Sequence, residues 1–160
     1  MKWLDALLAV PAVLIAGGLA ANRPSLTSPP GPVARLKTYL TTNVAATRPE
    51  HPFPELRTPH LDAEPDRVRQ ALIGAMRELG WQDIDEADGE LRAVVVSPLF
   101  RFRDDLTIRL EGAGGGTLVH ARSASRVGQG DLAANARHLQ ELFAALQRAL
   151  STPDADLPQP

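Results

Sequence analysis

Apolar residues follow three rhythms along this chain. From Trp3 to Ala21 they are almost unbroken, with Asp5 the one charge among nineteen residues. As a helix that run would reach about 28 Å, close to the hydrocarbon thickness of a bilayer. It predicts an N-terminal hydrophobic helix. Two readings stay open: a single-pass anchor, or a secretory signal with Lys2 as its basic end and Leu19-Ala20-Ala21 as a small-residue cleavage site. "NRPSLTSPPGP", residues 22–32, follows with four prolines and predicts a stiff tether. "VARLKTYL" has room for two helical turns. Prolines at 49, 52 and 54 then predict an extended strap, docked through Val44, Phe53 and Leu56.

The second rhythm is helical. Val68, Leu72, Ala75 and Leu79 share one face of a helix that Pro65 opens and Gly80 closes. Leu132, Ala136, Leu139, Leu142, Phe143, Leu146 and Leu150 stripe a second helix, from about Asp131 to Leu150. The third rhythm is alternation. "WQDIDEA", "ELRAVVVSPLF", "DDLTIRLE" and "TLVHARSAS" predict four strands, with a tight hairpin at Asp88-Gly89 and a loop at Gly112–Gly116. The fold class is therefore α+β: a four-stranded antiparallel sheet with two helices packed on one face, preceded by the hydrophobic helix. Residues 1–22 are expected as anchor or signal, 23–40 as linker, 41–150 as the domain and 151–160 as a flexible tail.

Charge changes the picture by exclusion. Seventeen basic and nineteen acidic residues leave a formal charge of -2, and aromatics make up only 4%. Neither a basic field nor a stacking platform is present, so no nucleic-acid partner is expected. The absence of cysteine removes disulfides, thiolate catalysis and a lipoprotein-type acylation site.

Candidate chemistry concentrates in "RSASRVGQGDLAANA", residues 122–136. Gly128 to Ala133 fits G-x-G-x-x-A between a strand and a helix. No further strand and no ribose-binding acid follow, so no nucleotide cofactor is expected. A glycine-lined helix start beside arginines can instead hold an anion. The candidate ligand residues are Arg109, Arg122, Ser123, Ser125, Arg126, Gly128 and Gly130. The competing reading is architectural: Asp131 caps its own helix, and Asp104, Asp105, Asp131 and Asn135 form a latch, with Asn135 bonding the Gly128–Gly130 backbone. Alternation places Val119, Ala121, Ser123, Ser125 and Val127 beneath the last helix. His120, Arg122 and Arg126 then share the opposite face with Asp105 and Arg109. No catalytic set emerges: Ser123 and Ser125 lack a nucleophile elbow. His51, His60, His120 and His138 lack metal-ligand spacing, so no metal is expected.

"SPLFRFRDDLTIRL" followed by "ARSASRVGQGDLAANARHL" resembles the family known as domain of unknown function 1499. Phe102, Asp104 and Asp105 fill its first motif; Arg122, Ser123, Ser125, Arg126, Gly128, Asp131, Leu132 and Asn135 fill its second. The resemblance covers about residues 43–150. It departs at residues 42–47, where many relatives carry a cysteine and this chain has none. It also departs in a longer glycine-rich insertion before Thr117. The resemblance implies a membrane-associated or exported protein and supplies no activity. The expectation is an accessory or binding domain held at the cytoplasmic membrane through residues 3–21, facing the periplasm, or released there after cleavage. Its partner would be an anionic lipid or an envelope protein met at the Arg/Ser/Gly corner. The alternative is an envelope hydrolase or transferase using Asp105, His120 or Ser125.

Overall fold

The computed structural model describes residues 13–97 and 101–151. The first ten residues of the expected anchor, 3–12, lie outside them, as does the tail from 152. Residues 13–22 are helical (α1). Among the described residues no helix is long and apolar enough to cross a membrane.

Strands β3 (Gln82–Ala87), β4 (Glu90–Val96), β5 (Arg103–Ala113) and β6 (Gly116–Ser125) form the expected antiparallel meander. The sheet has six strands rather than four, in the order β1-β6-β5-β4-β3, with β2 also on β6. The additions come from the strap: β1 (Val44–Ala46) and β2 (His60–Leu61). Without them β6 would present an unpaired row of backbone donors and acceptors. The strap satisfies that row: Thr47 N donates to Ala121 O at 2.9 Å and Val119 N to Pro59 O at 3.1 Å. Both hairpins are tight. Asp88 and Gly89 have φ of 56° and 77°, the double left-handed turn that matches strand twist. Ala113 pairs with Gly116, so the glycine-rich stretch expected as a longer loop is a two-residue turn ending two long strands.

One sheet face buries Leu91, Ala93, Val95, Leu106, Ile108, Val119 and Ala121. Against it pack α3 (Pro65–Glu78), through Val68, Leu72 and Met76, and α4 (Ala134–Ser151), through Leu139, Leu142 and Leu146. Each fully buried aliphatic side chain of this kind contributes about 1.5–3 kcal/mol. The opposite face carries Arg92, Arg103, Asp105, Thr107, Arg109 and Arg122, all exposed or half-exposed.

The segment expected as linker is part of the domain. Residues Pro32–Thr41 form α2, which buries Arg35 and Tyr39. The Arg35 guanidinium bonds Glu55, the Tyr39 hydroxyl and the carbonyls of Ser28 and Pro29, and lies over the Phe53 ring at 4.3 Å. Its hydrogen bonds to the Glu55 carboxylate raise the Arg35 pKa, so the buried cation stays charged. A fully satisfied charge of this kind fixes how the helix is rotated on the domain.

Candidate functional site

The β6–α4 corner divides into two faces because neighbouring strand residues point opposite ways. On the inner side, Ser123 Oγ donates to Asn135 Oδ1 at 2.5 Å. Asn135 Nδ2 reaches Ser125 Oγ and Asn43 O, both at 2.9 Å, and Asp131 Oδ2 at 2.7 Å. Ser123 and Asn135 are fully buried. The residue bonding the glycine turn is not Asn135, as the sequence suggested, but Asn43, whose Nδ2 donates to Gly128 O at 2.7 Å. Asn135 instead points between β6 and β1. Val127 is also displaced from its expected place under α4: β6 ends at Ser125, and Val127 is exposed.

Asp131 lies before α4 rather than within it. Its carboxylate accepts from Ala133 N at 2.9 Å and Asn135 N at 3.0 Å. Between them Leu132 and Ala133 take left-handed φ of 52° and 72°, a conformation that costs energy outside glycine. The carboxylate and the Leu132 contact to α2 hold this turn. Burial raises the Asp131 pKa, opposed by the bonds from Asn135 and Ala133.

The same turn also closes α2. Leu132 N donates to Tyr39 O at 3.0 Å and Asp131 N to Thr42 O at 3.3 Å, satisfying carbonyls at the C-terminal end of α2. A Cβ on Gly130 would collide with the Leu40 carbonyl. Glycine is required there for close backbone approach, not for phosphate. The backbone donors of residues 131–135 already have acceptors: carbonyl oxygens for Asp131, Leu132 and Ala134, and the Asp131 carboxylate for Ala133 and Asn135.

Beneath α4, next to this network, lies Asp104, which stands opposite Ser125 in the β5–β6 register. Asp104 Oδ2 stands 3.5 Å from His138 Nδ1, both side chains at least 95% buried. Neither Asp104 Oδ1 nor His138 Nδ1 has a hydrogen-bond partner among the described residues. Burial raises the Asp104 pKa, and burial followed by the Arg137 charge lowers that of His138 to about 4. At neutral pH the imidazole is uncharged. The sequence reading weighed His138 only as a metal ligand and missed its burial beside Asp104, although its spacing from Asn135 and Leu142 puts it on the buried stripe.

The outer side is electrostatic. Asp105 receives Arg126 Nε at 3.0 Å and Arg126 Nη2 at 2.7 Å. The bonds from Arg126 hold the Asp105 carboxyl below its ordinary range; burial opposes them, and the charges of Arg103 and Arg122 add lesser lowering effects. Arg103 also reaches Asp83 at 3.3 Å. His120 bonds Glu111 at 3.0 Å. Arg122 stands opposite Thr107 and Arg109 opposite His120 in the β5–β6 register. Among the described residues neither Arg109 nor Arg122 forms an ion pair.

Of the expected ligand residues, then, Arg109 and Arg122 remain available on the outer face, and Arg126 is bidentate to Asp105. Ser123 and Ser125 belong to the inner network, and Gly130 backs onto α2. Two of the three latch aspartates separate as well: Asp104 inward, Asp105 outward. A cavity of about 290 Å³ opens between α2, β1 and the start of α4, lined among others by Tyr39, Thr42, Arg48, His51, Phe53 and Asp131. None of the expected ligand residues lines it. Among the described residues no cluster of three or more metal-ligating side chains occurs.

The sequence pattern of a family described as "Protein of unknown function (DUF1499)" matches residues 25–146, a span that takes in α2, the sheet, α3 and most of α4. No curated protein matches the chain.

Proposed function

The chain belongs to the DUF1499 family, and from that premise we propose that it is a non-enzymatic accessory domain, exported and held at the cytoplasmic membrane through residues 3–21. In this reading the domain faces the periplasm and binds an anionic group through its solvated sheet face. The observation that carries it is the group of Arg103, Arg122 and Arg126 around two carboxylates, Asp105 and Asp83, with Arg122 in no ion pair among the described residues. Guanidinium groups in such excess attract a phosphate or carboxylate from a lipid headgroup or an envelope protein. The helix N-terminus plays no part, because Asp131 and the α2 carbonyls occupy it. Hydrolase or transferase chemistry has less support. Asp105 is engaged by Arg126, His120 by Glu111, and Ser125 by Asn135.

Native mass spectrometry of the full chain extracted from membranes tests this. The wild type is expected to carry an anionic species that Arg103→Ala with Arg122→Ala loses by about tenfold or more, the worth of one charge-assisted contact. An unchanged ligand in the double variant would overturn the sheet-face site. The intact mass also reports whether the leader is retained.

A further inference from the structure

Helix α2 is inside out. Its arginine, Arg35, is 0% exposed, while Val33 is 82%, Leu36 36% and Leu40 38% exposed. At 100° per residue these three apolar side chains fall within about 60° of arc, on the side away from Arg35, with Lys37 beside them. A helix on a protein surface ordinarily turns this stripe inward. Loose docking does not explain the reversal, because the Arg35 contacts to Glu55, Tyr39 and two carbonyls fix the rotation. An exposed apolar stripe of this kind marks a surface that something covers.

We propose that α2 is an interfacial foot, seated with Val33, Leu36 and Leu40 in the headgroup region of the bilayer that holds the leader. This rests on the tethered reading above. Three observations favour lipid as the occupant. The first is continuity: the apolar run from Trp3 enters the described structure in α1, where Val13 and Leu14 are also exposed. The second is position. The far end of α1 is pinned beside the C-terminal end of α2, since Asn22 Nδ2 donates to Leu132 O at 2.9 Å and Leu132 N donates to Tyr39 O at 3.0 Å. The third is charge. Apart from Arg35, which is buried against Glu55, residues 1–49 contain four bases (Lys2, Arg23, Lys37, Arg48) against one acid, Asp5, in a chain that is acidic overall. A short helix with an apolar face and flanking lysine or arginine beside an anchor lies in the plane of an anionic membrane.

The chain has no cysteine, so a single Leu36→Cys substitution in the full protein carries one environment-sensitive label. A label at Asp88→Cys, in the β3–β4 turn, is the comparison. In vesicles of phosphatidylethanolamine and phosphatidylglycerol the label at 36 is expected to emit at shorter wavelength. Spin-labelled lipid should quench it several-fold more than the label at 88. Val33→Cys, the most exposed position, gives the same reading should the label at 36 disturb the fold. A chain that floats with the vesicles while both labels at 33 and 36 stay aqueous and unquenched overturns the foot and leaves the tether standing. A chain that does not float at all overturns both.

Discussion

Arg122 and Ser123 are joined by one peptide bond and serve opposite surfaces. Ser123 is sealed beneath α4, where every group it meets is protein. Arg122 stands in solvent among charges, its cross-strand neighbour a threonine. The same division separates Asp104 from Asp105. Asp104 is buried against His138 with a raised pKa, and Asp105 is half-exposed against Arg126 with a lowered one. One motif therefore faces two environments, and the two-residue period of a strand divides it between them. Residues of the inner set should govern stability, and residues of the outer set should govern recognition with little effect on stability.

The largest break in that comparison comes from Asn135→Leu. It leaves Ser123, Ser125 and the Asn43 carbonyl without their partner, and unsatisfied buried groups each cost about 1–3 kcal/mol. A loss of roughly 3–5 kcal/mol is expected in urea denaturation. A loss below about 1 kcal/mol would show that the network adds little to the fold.

Acid should act next. The folded-state pKa of His138, about 4, lies below its ordinary value of 6.5, so the unfolded chain binds more protons between the two. Stability is then fully present above about pH 6.5 and falls as pH drops toward 4, by up to roughly 3 kcal/mol from this group alone. Asp104 and Asp131, raised by burial, act the other way: the folded state takes up their protons first, which offsets part of the loss at the acid end. His138→Gln should flatten the upper part of the curve, between about pH 6.5 and 5. A wild-type curve already flat there would mean that the imidazole is not held neutral.

Asp131→Ala is a smaller perturbation. It removes the carboxylate that caps α4 and steadies the left-handed turn at Leu132 and Ala133, an effect of about 1–2 kcal/mol by chemical denaturation. Asn at this position should recover most of it. The smallest effect belongs to the outer face. Arg126→Ala should leave the unfolding midpoint within measurement error, because its pair with Asp105 is solvent-exposed. A clear destabilisation by Arg126→Ala would erase the distinction between the two faces.

Both large helices and β5 were legible because their apolar side chains keep a clear period, and the β3–β4 hairpin because Asp88-Gly89 marks its turn. β1 and β2 were not, since three and two residues are too short for a period and prolines flank them. The burial of Arg35 was hidden for a different reason. Its partner Glu55 lies twenty residues away, and nothing local announces the pairing. At the corner, alternation assigned Ser123 and Arg122 to their faces. The partners of Asn135 escaped because Asn43 arrives from ninety-two residues upstream. His138 was readable in principle from the stripe, but a histidine in an apolar row does not state which acid it meets.

The turn at residues 128–133 finishes two helices at once, one from each end of the chain. Anyone trimming the protein for crystallisation at the start of the sheet would leave the Tyr39 and Thr42 carbonyls missing from the donors that need them, and α4 would lose its brace. The shortest autonomous fragment should therefore begin ahead of Ser28, where Arg35 finds its carbonyls, and not at Asn43.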